Sequence, residues 1–146
     1  MMNVEKQVKI KLISSIIPTD GEAESYELWL QGSFIQKTDK MYLRYEEVLD
    51  GKSIRTTVRM NGDHALILRN GGVNMRLPFN MQTIENGHYE TQFGTLPITT
   101  KTNQLTHQHN EEASVTGRFQ INYDLIIGGQ AVGEYNLDIQ YSEGKA

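Results

Sequence analysis

VTGRFQINYDLIIGGQAVGEYNLDIQY, residues 115–141, is the stretch that decides the fold. Val115, Gly117, Phe119, Ile121, Tyr123, Leu125 and Ile127 fall on every second position, with Thr116, Arg118, Gln120, Asn122 and Asp124 between them. Across Gly128-Gly129 the alternation resumes with Ala131, Gly133, Tyr135, Leu137, Ile139 and Tyr141, set against Glu134, Asn136, Asp138 and Gln140. A period of two places successive side chains on opposite faces of a strand. A Gly-Gly pair supplies the positive φ angles of a tight hairpin turn. The stretch therefore predicts two long antiparallel strands with one apolar face. A slip of one residue would expose that whole face, so the register is strongly specified.

The same pattern runs upstream. Asn-Gly stands at 61–62, 70–71 and 86–87, Asp-Gly at 20–21 and 50–51, and Gly-Gly at 71–72. Between these corners lie the alternating sets Val8, Ile10, Leu12; Tyr26, Leu28, Leu30, Phe34; Met41, Leu43, Tyr45, Leu49; Ile54, Thr56, Val58, Met60; and Val73, Met75, Leu77. In HYETQFGTLPITTKT, residues 88–102, Tyr89, Thr91 and Phe93 share a face, but after Gly94 the apolar positions become Leu96 and Ile98. A bulge at Gly94 would shift the parity in this way. Pro97, which has no N–H for a ladder, suits a bend or an edge. Residues 102–112, TNQLTHQHNEE, read as a polar hairpin end. The one candidate helical turn is Thr19 to Ser25, after Pro18. The expectation is an all-β fold, a single antiparallel up-and-down barrel of about 8–9 strands, with residues 1–146 as one domain. A two-sheet sandwich is the rival, but it usually needs longer crossings than these meander turns provide.

Composition narrows the function. A chain of 146 residues can bury a core without staples, and there is no cysteine for a disulfide, a thiolate nucleophile or a thiolate metal site. The net charge is −4 with the signs interspersed and no basic run, which excludes a phosphate-tracking surface and argues against nucleic acid as a partner. The apolar stretch Leu12 to Ile17 is shorter than a signal-peptide core, and nothing approaches the roughly 20 apolar residues of a membrane-spanning helix. The expected location is cytoplasmic, with no membrane partner.

LWLQGSF at 28–34, MRLPF at 75–79, YETQFGTLPITTKT at 89–102 and GRFQINYDLIIGG at 117–129 together resemble the YwiB-like family of bacterial proteins. The resemblance covers nearly the whole chain. It implies a lipocalin-like, calycin-type β-barrel and no catalytic or binding residue. The G-x-W signature that lipocalins carry on their first strand is missing: Trp29 and Gly32, in the second strand, stand in the wrong order.

The candidate sites follow from strand parity. His107 and His109, two apart, share a side, with Glu111 next along; as weak metal candidates they lack the third and fourth ligand that a site needs. The plainer reading is a solvated hairpin tip, and no metal or cofactor is expected. No serine sits in a G-x-S-x-G elbow. Glu46-Glu47 and Glu111-Glu112 are adjacent pairs, whose members point to opposite faces of a strand. Gly71-Gly72 and Gly128-Gly129 precede no helix and so cradle no phosphate. No enzyme is expected; a metal-dependent one through the His pair is the remaining route.

The interior of the barrel is the better candidate. Met41, Tyr45, Met60, Met75, Phe119, Tyr123 and Tyr135 fall on inward faces, Tyr89 and Thr91 edge the mouth, and Arg76 is the cation offered to an anionic group. Adaptable methionines and rings with polar tips suit a small, partly apolar ligand. The competing reading is a filled core. The other function class is a protein-interaction module, a homodimer formed through Trp29 and Ile35 on the otherwise polar face of the second strand.

Overall fold

The computed structural model describes residues 4–144. Ten strands follow one another: β1 (Val4–Pro18), β2 (Glu24–Lys37), β3 (Lys40–Leu49), β4 (Lys52–Asn61), β5 (His64–Gly71), β6 (Asn74–Asn80), β7 (Glu85–Thr91), β8 (Gly94–Asn110), β9 (Thr116–Ile127) and β10 (Gln130–Glu143). Each pairs antiparallel with its chain neighbours, and β1 also pairs with β10, which closes the sheet into a barrel. Closure removes the unpaired edges that an open sheet would present.

The β9–β10 hairpin forms as its alternation requires. Tyr123 faces Tyr135, Ile121 faces Leu137 and Phe119 faces Ile139, all toward the lumen. Gly128 and Gly129 make the turn at φ 57° and 82°. Val8, Ile10 and Leu12 of β1 complete this wall from the other side of β10 and are almost wholly buried.

Several expectations need correction. There are ten strands where about eight or nine are expected, for two reasons. HALILRNG, residues 64–71, has apolar groups on both faces, since Leu66 and Ile67 are both buried, and so lacks the alternation of a one-sided strand. The stretch 88–102 is two strands: β7 ends at Thr91, Gln92 and Phe93 form the turn, and β8 starts at Gly94 with φ 125°. Gly94 is therefore a hairpin corner, not a bulge. The real bulge lies in the same strand between Thr102 and Gln104, where Asn103 is the extra residue. Asn86-Gly87 is not a turn but lies within β7; a Cβ on Gly87 would collide with the Arg76 carbonyl oxygen. Residues 102–110 continue β8, so the polar hairpin end is confined to 111–115. Thr19 to Ser25 contains no helical turn, and no helix occurs among the described residues.

A meander places alternate connections at opposite ends. The β1–β2, β3–β4, β5–β6, β7–β8 and β9–β10 connections form what is here called the upper end. The lower end is plugged by rings. Phe34 stacks on His109 at 4.8 Å and on Tyr141 at 5.6 Å, while Phe119 meets His107 edge-on at 6.3 Å. Phe34, Phe119, Leu43, Val58 and Ile139 are fully buried, so the middle and lower lumen are filled core.

Candidate functional site

The upper end is built differently. Along one row of the lumen wall, Tyr45 of β3 faces Thr56 of β4, Thr56 faces Arg69 of β5, Arg69 faces Met75 of β6, and Met75 faces Tyr89 of β7. From the opposite wall come Tyr123 of β9, flanked by Thr102 of β8 and Tyr135 of β10. Tyr123 and Tyr135 stack at 5.3 Å with planes 10° apart, and Phe79 closes on Tyr123 from below at 4.7 Å. Glu47, two residues beyond Tyr45, also faces in and stands 3.9 Å from Arg69.

These groups feel one another's charge across the lumen. Burial first, and then the Glu47 carboxylate, push the Tyr45 phenol well above its ordinary range, with Arg69 pulling the other way. Burial and then Tyr135 do the same to Tyr123, again opposed by Arg69. Tyr135 is raised by burial and then by the nearby Tyr26 of β2, itself more than half exposed. All three phenols therefore stay protonated at neutral pH and can donate hydrogen bonds. Two further hydroxyls, Thr56 Oγ1 and Thr102 Oγ1, are buried without any hydrogen-bond partner. An unpaired buried hydroxyl costs about 1–3 kcal/mol, so native structures rarely leave one unfilled.

Of the residues expected from sequence, Tyr45, Met75, Tyr89, Tyr123 and Tyr135 are brought together at this mouth. Met41 and Met60 face each other near the lower end, and Phe119 lies in the plug. Thr91 spends its hydroxyl on the β7–β8 turn, donating to the Gly94 carbonyl at 2.8 Å and accepting from Phe93 N–H at 3.1 Å. Arg76 alternates with the inward Met75 and Leu77 and pairs with Leu68 and His88, so it is on the outer face. The cation in the lumen is Arg69. Its signal was its place two residues after Ile67, and Glu47 likewise follows Tyr45 by two.

The lower end holds the histidines. His107 Nε2 lies 2.8 Å and His109 Nδ1 2.9 Å from the Tyr141 hydroxyl, and His109 Nε2 lies 2.7 Å from Glu111 Oε1. One proton arrangement satisfies all three contacts. His109 Nε2–H donates to Glu111, Tyr141 O–H donates to His109 Nδ1, and His107 Nε2–H donates to the tyrosine oxygen. Burial, then the adjacent His109, lower His107 to about 4, so it is neutral at pH 7. The nitrogens that converge here are engaged by a tyrosine hydroxyl. Among the described residues no group of three or more His, Cys, Asp or Glu gathers where a metal ion would fit.

The outer wall carries a cleft of about 790 Å3, lined by Lys9, Lys11, Trp29, Arg118 and Gln140 among others. Trp29 is 71% exposed there, with Lys11 Nζ 5.2 Å from its ring centre. Ile35, expected beside it as exposed apolar surface, is instead 5% exposed.

The architecture defines a class: a closed ten-stranded antiparallel barrel, plugged at one end and lined with tyrosines and one arginine–glutamate pair at the other. A family model described as a domain of unknown function, DUF1934, matches residues 10–139, and the chain belongs to that family. The chain is 30% identical over 132 residues to the uncharacterized β-barrel protein YwiB of Bacillus subtilis (strain 168), covering 90% of this chain and 91% of that protein. It also matches the crystal structure of the ywiB protein from Bacillus subtilis, with a TM-score of 0.84 and 29% identity, over 97% of this chain and 94% of that one. The YwiB-like resemblance read from the sequence therefore holds.

Proposed function

We propose that the chain is a non-enzymatic binder of a small, partly apolar molecule, seated in the upper mouth of the barrel. The observation that carries this reading is the pair of buried, unpartnered hydroxyls of Thr56 and Thr102 among protonated tyrosines. Both hydroxyls are closed off in this structure, so a bound molecule with acceptor atoms would draw them toward the mouth, where Met75, Tyr89 and the stacked Tyr123–Tyr135 pair would cover its apolar body. Among the described residues no hydroxyl of this mouth is hydrogen-bonded to a carboxylate or imidazole, which favours binding over chemistry. Native mass spectrometry of protein purified without a His tag tests the reading. The expected result is a stoichiometric extra mass that is retained on gentle desorption and lost from a Thr56→Val, Thr102→Val double variant. Bare protein throughout, with the double variant unaltered, would count against it.

A second reading has its own observation. The exposed Trp29 beside the outer cleft suits a homodimer contact without an internal ligand. The same spectra report it: a dimer that Trp29→Ala dissociates supports this reading, and a monomer at micromolar concentration removes it.

A further inference from the structure

We infer that the molecule held in the upper mouth carries an oxyanion, of carboxylate or sulfonate geometry, on an apolar or aromatic body, and that Arg69 receives that group. This rests on the binding reading above and adds the chemical class of the occupant. Arg69 projects into the lumen from β5 between Thr56 and Met75. A guanidinium has five N–H donors and no acceptor. Its ion-pair partner is the Glu47 carboxylate at 3.9 Å, beyond hydrogen-bond range. The two side chains keep 25% and 12% of their exposure, so the pair is sheltered yet reachable from the mouth. A sheltered charge without close hydrogen bonds is costly, and a guanidinium satisfies its donors best on two oxygens of one oxyanion, two bonds at once.

The surroundings agree. The Tyr45 and Tyr123 phenols both lie near enough to Arg69 to feel its charge, and beside them in the wall stand Thr56 and Thr102, whose buried hydroxyls make no hydrogen bond to the protein. Donors thus outnumber acceptors, since Glu47 is the one carboxylate in the cluster. A cationic ligand would pair Glu47 and leave every one of those donors, Arg69 included, unanswered. An oxyanion answers them. Glu47 then acts as the resident counter-charge, holding Arg69 loosely and yielding it to a better-placed oxyanion.

Two fluorescent probes that differ by one group test this: 1-anilinonaphthalene-8-sulfonate, and N-phenyl-1-naphthylamine, the same aromatic frame without the sulfonate. Fluorescence titration of the full chain should show the sulfonate bound at one site about tenfold tighter than the neutral probe. Arg69→Gln should abolish that preference by weakening the sulfonate about tenfold, while Glu47→Gln should tighten the sulfonate several-fold because it removes the competing carboxylate. Glu47→Gln keeps the test independent if Arg69→Gln folds poorly, which a thermal melt by circular dichroism reports. If both probes bind alike and neither variant discriminates, the oxyanion inference is wrong and the binding mouth survives. A sulfonate that binds but ignores both variants sits elsewhere, for instance at the Lys9–Lys11 cleft, and also defeats the inference. If neither probe binds, the mouth reading fails and takes this one with it.

Discussion

Gly117 makes no turn, and its φ lies outside the left-handed region. What it provides is room. A Cβ there would collide with Cζ and Oη of Tyr141 and stand 2.7 Å from the Gln108 carbonyl oxygen. That space lets the Tyr141 hydroxyl lie between two imidazoles. Gly117→Ala should therefore destabilise by about 1–3 kcal/mol, read as a lower urea midpoint at unchanged slope. His107 gives a pH-dependent companion, facing His109, Tyr141, Phe119 and, through His109, Glu111. Unfolded, its imidazole takes up a proton near 6.5; folded, only near 4. The folded state thus refuses a proton that the unfolded state accepts, and stability is lost as pH falls from about 6.5 toward 4. Discounted for partial solvent screening, the share of His107 at pH 5 is about 1 kcal/mol. Urea unfolding at pH 7.5 and pH 5 should show His107→Gln losing less stability on acidification than the parent. An equal loss in both would mean that the imidazole is hydrated in the fold.

Parity governs each element, and β8 shows both its reach and its failure. Ile98, Thr100 and Thr102 face in, and so do Leu105, His107 and His109; the two sets differ in parity because Asn103 is looped out between them. Sequence reading detects a parity shift in this region but places it at Gly94, where glycine and a nearby proline advertise a bend. The true bulge has neither. Its stabiliser is tertiary: Asn103 Nδ2 donates to Asn122 Oδ1 of β9 at 2.9 Å. Removal of Asn103 joins Thr102 to Gln104 in regular alternation and keeps every inward face. That deletion should leave the barrel folded, at a cost of about 1–2 kcal/mol for the lost bond and twist. Removal of Gln120 from β9 has no such escape, since it would turn Phe119 or Ile121 outward, and should abolish cooperative melting. Circular-dichroism melts of the two deletions decide the matter; equal damage would show that Asn103 is not the surplus residue. β5 is not legible in the sequence for the opposite reason, because a strand with apolar groups on both faces carries no period of two.

At the scale of the molecule the two ends have different tasks. The lower plug of Phe34, Tyr141, His109 and Phe119 supplies packing, and the upper mouth supplies polar groups. Phe34→Ala should cost about 3–5 kcal/mol, measured by denaturant unfolding, while leaving probe titration at the mouth unchanged wherever the protein remains folded. Weakened probe binding in the folded variant would mean that the ends are mechanically coupled. The sequence by itself determined the all-β class, the meander order, the apolar face of nearly every strand and the inward tyrosines of the mouth. It could do so because parity and turn chemistry are local, readable within a few residues of each position. Only the tertiary structure decided the strand count, the seam between β1 and β10, the side on which Arg69 and Arg76 fall, and the meeting of Arg69 with Glu47 and the tyrosines of the far wall. Those facts depend on closure, which sets residues from distant strands face to face across a lumen that no local pattern describes.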